Sequence, residues 1–550
     1  MKTLDWVVLF STLTAIISYG LYRARGQQTT ANYLLAGRSM PWYAMALSIM
    51  ATQASAITFI STTGQAYVDG MRFVQYYFGL PLAMILISIT AVPLFHRANV
   101  YTAYEFLEKR FDARVRALVS CVFLIQRGLG VGMALYAPAV VLTVILGWSE
   151  QWTILLMGCV AILYTVLGGI KAVTWTDFQQ MIVMTLGMVI AFGTAISLLP
   201  PGVGFTDALR VAGAAGKVNP ITFNFDLNDR YNIFSGLIGG MFLALAYFGC
   251  DQSQVQRYLT GKSITQSRLS LLFNAVAKIP MQFFILLTGV MVFAFYTFEP
   301  PPVLFHGEKL QALRGTPGFA RIESEYQQKW QARRRAAEQM LESETPVTVA
   351  NYREAHRAAE QVRKEALVAA KATDTNYIFL SFVTRYLPAG VVGLVMAVIF
   401  GAAMSVIAGE INSLATVSVI DLYQRFWRPK ATDAHMMWAS RFFTLFWGLY
   451  AVGTANLGKN FNLSLIEAVN LLGSLFYGGL LGVFVLAFYV KHVTAGPAFW
   501  GVICGEIAIF AAAKFTDVAF LWWNVIGCVV VILSAIILEA LRRPQPAAAT

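Results

Sequence analysis

Thirteen apolar runs, each near the length needed to cross a bilayer, divide the chain between residues 5 and 541, and they constrain its fold more than any other feature. They lie at 5–22, 42–66, 73–95, 117–147, 151–168, 178–199, 231–250, 268–297, 388–420, 435–456, 464–490, 496–513 and 519–541. A helix of about 20 residues spans the hydrocarbon core, so each run is read as a transmembrane helix. With 57% hydrophobic and 13% charged residues over 550 positions, the composition is that of a polytopic membrane protein. The net charge of +12 resides mostly in short loops and does not point to nucleic acid. Cys121, Cys159, Cys250, Cys504 and Cys528 all sit inside apolar runs, where they read as small buried hydrophobes and not as a disulfide framework or a metal-ligand set.

The first run has no A-x-A site after it and is followed by YRARG, so an uncleaved helix is expected. Lys and Arg accumulate on one side of the alternating loops, from Arg23, Arg25 and Arg38 through Arg97, Lys109, Arg110, Lys171, Arg257 and Lys262 to Arg425, Lys491, Arg542 and Arg543. The opposite loops offer only Arg72, Lys459 and Lys514. The positive-inside rule then predicts an outside N-terminus and a cytoplasmic C-terminus in a plasma (inner) membrane.

The ninth run, Gly390 to Tyr423, carries Ser405, Glu410, Asn412 and Ser413 inside an otherwise apolar helix. Polar groups in hydrocarbon are costly without partners, so this helix must line something polar. At about 100° per residue, Ala402, Ser405, Gly409 and Asn412 share one narrow face, and Glu410 points roughly a third of a turn away. Small residues on that face admit a close backbone, and a hydroxyl beside free carbonyls suits a small hard cation. The second run places Thr52, Gln53, Ser55 and Thr58 among alanines. Two readings stand for it: tight packing through small residues, or a helix that unwinds at mid-membrane and frees carbonyls to hold an ion.

With NYLLAGRS, YTAYEFLEKRF, GGIKAVTWTDFQQ (taken as the Gly168–Gln180 loop), DQSQVQRYLTGKS (Asp251–Ser263) and NSLATVSVIDLY in this order between the runs, the chain closely resembles the sodium/solute symporter family. YTAYEFLEKRF followed by LYAPAVVL is similar to the branch of iodide, vitamin and monocarboxylate carriers. The resemblance implies an all-α membrane protein of about 13 helices with two inverted five-helix repeats, helices two to six and seven to eleven, whose second and seventh helices are broken. The expected divisions are 1–40 for an extra helix and cytoplasmic loop, 41–200 for the first repeat, 201–230 for an outer loop, 231–298 and 376–490 for the second repeat, 299–375 for an insert between its parts, and 491–550 for two C-terminal helices and a tail.

The same resemblance implies a sodium site of carbonyls from Ala51, Ala54 and Ala402 with the hydroxyl of Ser405; the family's second hydroxyl is replaced by Val406. An additional ion site in some members matches Asp177 and two hydroxyl positions that are Ala408 and Gly409 here, with Glu410 as a candidate ion or proton carrier or a structural hydrogen-bond partner. Candidate solute contacts are Gln53, Thr58, Gln75, Tyr77, Arg127, Tyr247, Lys278 and Asn470. Tyr247 matches the family's inner aromatic gate. Arg127 is buried in the fourth run, where a guanidinium must be paired or hydrated; it is read either as the reader of an anionic solute or as an internal ion-pair partner.

From Glu299 to Thr375 the sequence becomes charged and Ala-rich, as in IESEYQQKWQARRRAAEQMLE and YREAHRAAEQVRKEALVAAKA, which predicts two solvent-exposed helices on the outer face that cap, dock a partner or are simply tolerated. Together these features predict a sodium-coupled symporter of a small polar or anionic organic solute, working by alternating access in the lipid bilayer. An uncoupled channel or sensor on the same fold and a proton-coupled sugar carrier are the alternatives. No nucleophile elbow, paired carboxylates or His cluster supports an enzyme.

Overall fold

The computed structural model describes residues 2–25, 29–54, 56–147, 149–456 and 465–542; Ser55, Lys459 and Arg543 lie outside them. The described residues form 22 α-helices with short 3-10 and π segments and one isolated bridge, Met40 to Gly261, but no strand. In chain order they are α1 (Thr3–Arg23), α2 (Thr30–Leu35), α3 (Trp42–Gln53), α4 (Ala56–Asp69), α5 (Leu80–Ile89), α6 (Ala91–Ala98), α7 (Ala103–Arg110), α8 (Ala113–Leu146), α9 (Glu150–Ser197), α10 (Phe205–Ala214) and α11 (Gly240–Gly249). Then follow α12 (Gln252–Leu259), α13 (Ile264–Phe298), α14 (Gly307–Arg314), α15 (Phe319–Glu342), α16 (Pro346–Ala370), α17 (Thr375–Tyr386), α18 (Val391–Val417), α19 (Asp433–Ala455), α20 (Leu465–Tyr489), α21 (Ala495–Phe515) and α22 (Phe520–Leu541).

Ten helical spans among the described residues are long and apolar enough to cross a membrane, against thirteen runs in the sequence. Part of the difference lies at two breaks. The run 42–66 is cut at Ala54, whose backbone (φ −94°, ψ 57°) leaves the helical region, and Thr58 donates its hydroxyl to Gln53 O at 2.9 Å across the gap. The run 231–250 stops at Gly249, and Asp251 restarts the chain as α12 by accepting from the Ser253 amide at 2.9 Å. Such interruptions leave backbone groups unpaired by the helix itself. Conversely, the expected loop at Gly168–Gln180 is helical: α9 runs through it with one kink at Gly169 (φ 57°), so Asp177 sits on a helix.

Helix α18 is the axis. Val395 to Val417 is buried at every position, against α9, α1, α8 and α19. Its first turn is capped by Asp5 of α1, which accepts from the Gly390 amide at 2.6 Å and the Gly393 amide at 3.3 Å. A carboxylate there answers the positive end of the helix dipole. A Cβ at 393 would collide with the Asp5 backbone, so glycine lets α1 close onto α18.

The insert forms the expected helical pair, α15 and α16, but it is seated on the body rather than held free in solvent. Arg333 and Trp330 of α15 donate to Tyr296 O at 2.7 and 3.2 Å, at the end of α13. Arg363 donates to Asp374 at 2.8 Å, and Arg353 to Ala214 O at 2.9 Å. His356, packed edge-on to Phe293, is held neutral; burial, reinforced by Arg333, pushes its pKa down to about 3.

Candidate functional site

Burying arginine at bilayer depth demands acidic partners, and the break between α11 and α12 helps to supply them. Arg127 of α8 donates from Nη1 to Glu410 Oε1 at 2.8 Å, and from Nη2 to Asp251 Oδ2 and to the Tyr477 hydroxyl, the latter at 2.8 Å. Its guanidinium lies 5.4 Å from the centre of the Tyr247 ring. Arg257 of α12 donates to Ser48 Oγ at 3.0 Å and pairs with Asp177 Oδ2 at 3.1 Å, while Ser48 donates to the same carboxylate oxygen at 2.5 Å. Arg257 was counted above among the loop charges; instead it is 1% exposed, because an adjacent helix offers it a carboxylate.

The two carboxylates named for an additional ion site are therefore not brought together: Asp177 belongs to Arg257, and Glu410 to Arg127. Nη2 of Arg257 also occupies the space where a side chain at 409 would begin, so a charged side chain fills the neighbourhood in which further hydroxyls were sought.

Beside Arg127 lies a cavity of about 90 Å³. Gln53, Tyr77, Arg127, Tyr247 and Asn470 line it, as expected for solute contacts, together with Val406 and Glu410. Thr52, from the polar stretch of the second run, also lines it, as do Tyr76 and Tyr477, which the sequence does not single out; Tyr76 donates to Asn470 Oδ1 at 2.9 Å. The volume admits a few waters, well short of a ligand pocket of roughly 300 Å³ or more. Solute entry must therefore displace side chains.

Three expected contacts stand off this cavity. Gln75 is spent on the outer loop, donating to Tyr231 O at 2.8 Å and accepting from the Thr222 amide at 2.9 Å. Thr58 is spent on the helix break. Lys278 is fully buried 5.2 Å from the Tyr77 ring centre, its ammonium without a hydrogen-bond partner among the described residues.

At the proposed sodium position, α18 packs against both halves of the broken helix, α3 and α4. Ala51, Ala54, Ala402 and Ser405 are each 1% exposed or less. Ser405 Oγ has no hydrogen-bond partner among the described residues. A buried orphan hydroxyl beside a helix break fits a small cation that takes oxygen ligands.

The sodium:solute symporter family model matches residues 33–308 and 347–505, and the chain belongs to that family, whose members are transporters and not enzymes. It is 28% identical over 538 residues to a sodium/sialic acid symporter of Aliivibrio fischeri, covering 96% of this chain and 92% of the relative. It is 29% identical over 517 residues to a sodium-dependent multivitamin transporter of Oryctolagus cuniculus, covering 92% and 69%. It is also 26% identical over 504 residues to the human sodium-coupled monocarboxylate transporter 1, covering 91% and 72%. Among solved structures, it resembles a substrate-bound, outward-open Na+-coupled sialic acid symporter with a TM-score of 0.78 and 26% identity over 99% of each chain.

Proposed function

We propose that this chain is a sodium-coupled symporter that imports a small anionic organic solute by alternating access. The observation that carries the reading is Arg127, a guanidinium in the wall of a cavity deep among the helices, close to the orphan hydroxyl face of α18. Sialic acid and monocarboxylate symporters are among its relatives, as is a sodium/glucose cotransporter, so the choice of an acid over a neutral sugar rests on Arg127.

In this reading, helices two to six and seven to eleven of a thirteen-helix chain form inverted repeats, and the two broken helices, α3–α4 and α11–α12, meet at the centre. The N-terminus is outside, the C-terminus is cytoplasmic, and the membrane is the plasma membrane. Ala51, Ala54 and Ala402 carbonyls and the Ser405 hydroxyl hold the ion; Gln53, Tyr77, Arg127, Tyr247 and Asn470 take the solute, and Lys278 polarises Tyr77 from behind. A bound sodium supplies positive charge that fastens the broken helix to α18 and orders the neighbouring pocket, so ion and solute bind cooperatively. The membrane potential drives the ion inward by about 2.3 kcal/mol per charge per 100 mV.

Uptake into proteoliposomes with and without an inward sodium gradient tests the reading. Concentrative uptake of pyruvate or N-acetylneuraminate that requires the gradient is expected; flux that only equilibrates and ignores the gradient would identify an uncoupled channel instead.

A further inference from the structure

The charge around Arg127 does not balance. One guanidinium faces two carboxylates, Asp251 and Glu410, so with both acids ionised the cluster carries one net negative charge in a buried, membrane-embedded place. An anionic solute that reaches Arg127 would raise that to two. Uncompensated buried charge of this kind is strongly disfavoured.

The two carboxylates are not held alike. Asp251 accepts from Arg127, the Tyr477 hydroxyl at 3.1 Å, the Ser253 amide at 2.9 Å and the Ser253 hydroxyl at 2.7 Å, and it does not line the cavity. Among the described residues Glu410 accepts from Arg127 alone, at 2.8 Å. Its other oxygen, Oε2, is buried without a hydrogen-bond partner among the described residues, and its side chain lines the cavity. Glu410 is thus the partner that an incoming carboxylate can replace.

The groups around Glu410 leave little else to neutralise it once displaced. Arg127 of α8 would be bound to the solute, and Arg257 of α12 has its charge matched by Asp177 of α9 through Nη1, its Nη2 lying against Gly409. Tyr247 of α11 accepts from Gln254 at 2.7 Å and Tyr477 of α20 donates to Asp251. Asp5 of α1 is occupied at the far end of α18, and His435 of α19 is bound to Tyr423. Among the described residues no cation other than Arg127 is hydrogen-bonded to Glu410, and Lys278 lies against Tyr77, outside this cluster.

We propose that Glu410 is a proton-binding site: as an anionic solute takes its place on Arg127, Glu410 takes up a proton from the outer solution, relayed through water in the cavity, so each anion enters with one proton besides the sodium. The solute carboxylate accepts the Nη1 hydrogen bond that Glu410 gives up. The Glu410 carboxylate becomes a carboxylic acid, and the cluster stays at one net negative charge. The inference rests on the anion reading above and adds a coupled ion to it.

The test is titration calorimetry of the full chain in detergent at saturating sodium, with pyruvate and N-acetylneuraminate as probes, in buffers of different ionisation enthalpy. Wild type should take up about one proton per anion bound. Glu410→Gln should bind the acid with no proton uptake and with an affinity that no longer depends on pH, and Glu410→Asp should restore uptake. Acid binding without proton uptake by wild type overturns the proton site and leaves the anion reading standing, as does equal uptake by Glu410→Gln. Binding of neutral sugars but of neither acid overturns both.

Discussion

Arg127 and Arg257 are the same residue type at similar burial, 4% and 1% exposed, yet they sit in opposite settings. Arg257 meets one carboxylate, Asp177, with Ser48 bridging the two, and the pair is sealed between α12, α9 and α3. Arg127 meets two carboxylates and a tyrosine at the edge of a cavity. A matched, sealed pair can only hold helices together, because any change of partner leaves a bare charge. An over-supplied arginine beside open space can exchange a partner. Burial alone therefore does not separate scaffold from site; stoichiometry and access do.

Arg257→Gln should have the largest effect. It strands Asp177 at 0% exposure, and breaking such a buried pair costs about 3 to 5 kcal/mol. A steep fall in the midpoint of thermal unfolding in detergent is expected, with or without solute. An unchanged midpoint would mean that Asp177 is neutral or hydrated, and the contrast with Arg127 would collapse.

Arg127→Lys should come next. Lysine keeps the charge but cannot serve Glu410, Asp251 and Tyr477 from one planar fork, and loss at a buried charged contact costs about 2 to 5 kcal/mol. Affinity for the acid should fall by tens-fold or more while stabilisation by sodium alone persists. Loss of both together would place Arg127 with Arg257 as scaffold.

Ser405→Ala tests a group outside both clusters. It removes the orphan hydroxyl, so sodium activation of uptake should shift to higher concentration, by about tenfold for one ligand oxygen worth some 1.4 kcal/mol. Superimposed activation curves would remove Ser405 from the ion site. The smallest effect is expected from Val406→Ser, which offers a hydroxyl one residue along at the cavity wall; a gain of a few-fold in apparent sodium affinity is expected, and no gain would assign position 406 to the solute alone.

What the sequence made legible follows from what is local. The polar stripe of α18, the alanine-rich break before Ala56 and the apolar runs are all written in neighbouring residues, and each has its counterpart in the fold. The partners of the arginines are not local: Arg127 reaches Asp251 across 124 positions and Glu410 across 283. Periodicity reports the face a residue occupies, not who stands opposite. Hence both readings of Arg127 stay open in the sequence, Tyr477 and Asp251 do not show themselves as its partners, and Arg257, between the runs 231–250 and 268–297, reads as a loop charge. The helical path of α9 past Gly169 is hidden likewise, since the partner that matches Asp177 there, Arg257, lies 80 positions away in the chain.

The seating of the insert turns it into a lever. Arg333 and Trp330 root the middle of α15 on the last turns of α13, and from Arg333 the helix runs on for nine residues, about 14 Å, to its end at Glu342. At the tip, the exposed pair of Arg210 and Glu344 at 3.7 Å is a weak tether. A rocking of α13 by about 10° would swing the tip by roughly 2 Å over that arm. A spectroscopic label at the exposed Val347 would thus report, outside the membrane, the small movements by which buried helices hand a solute from one side to the other.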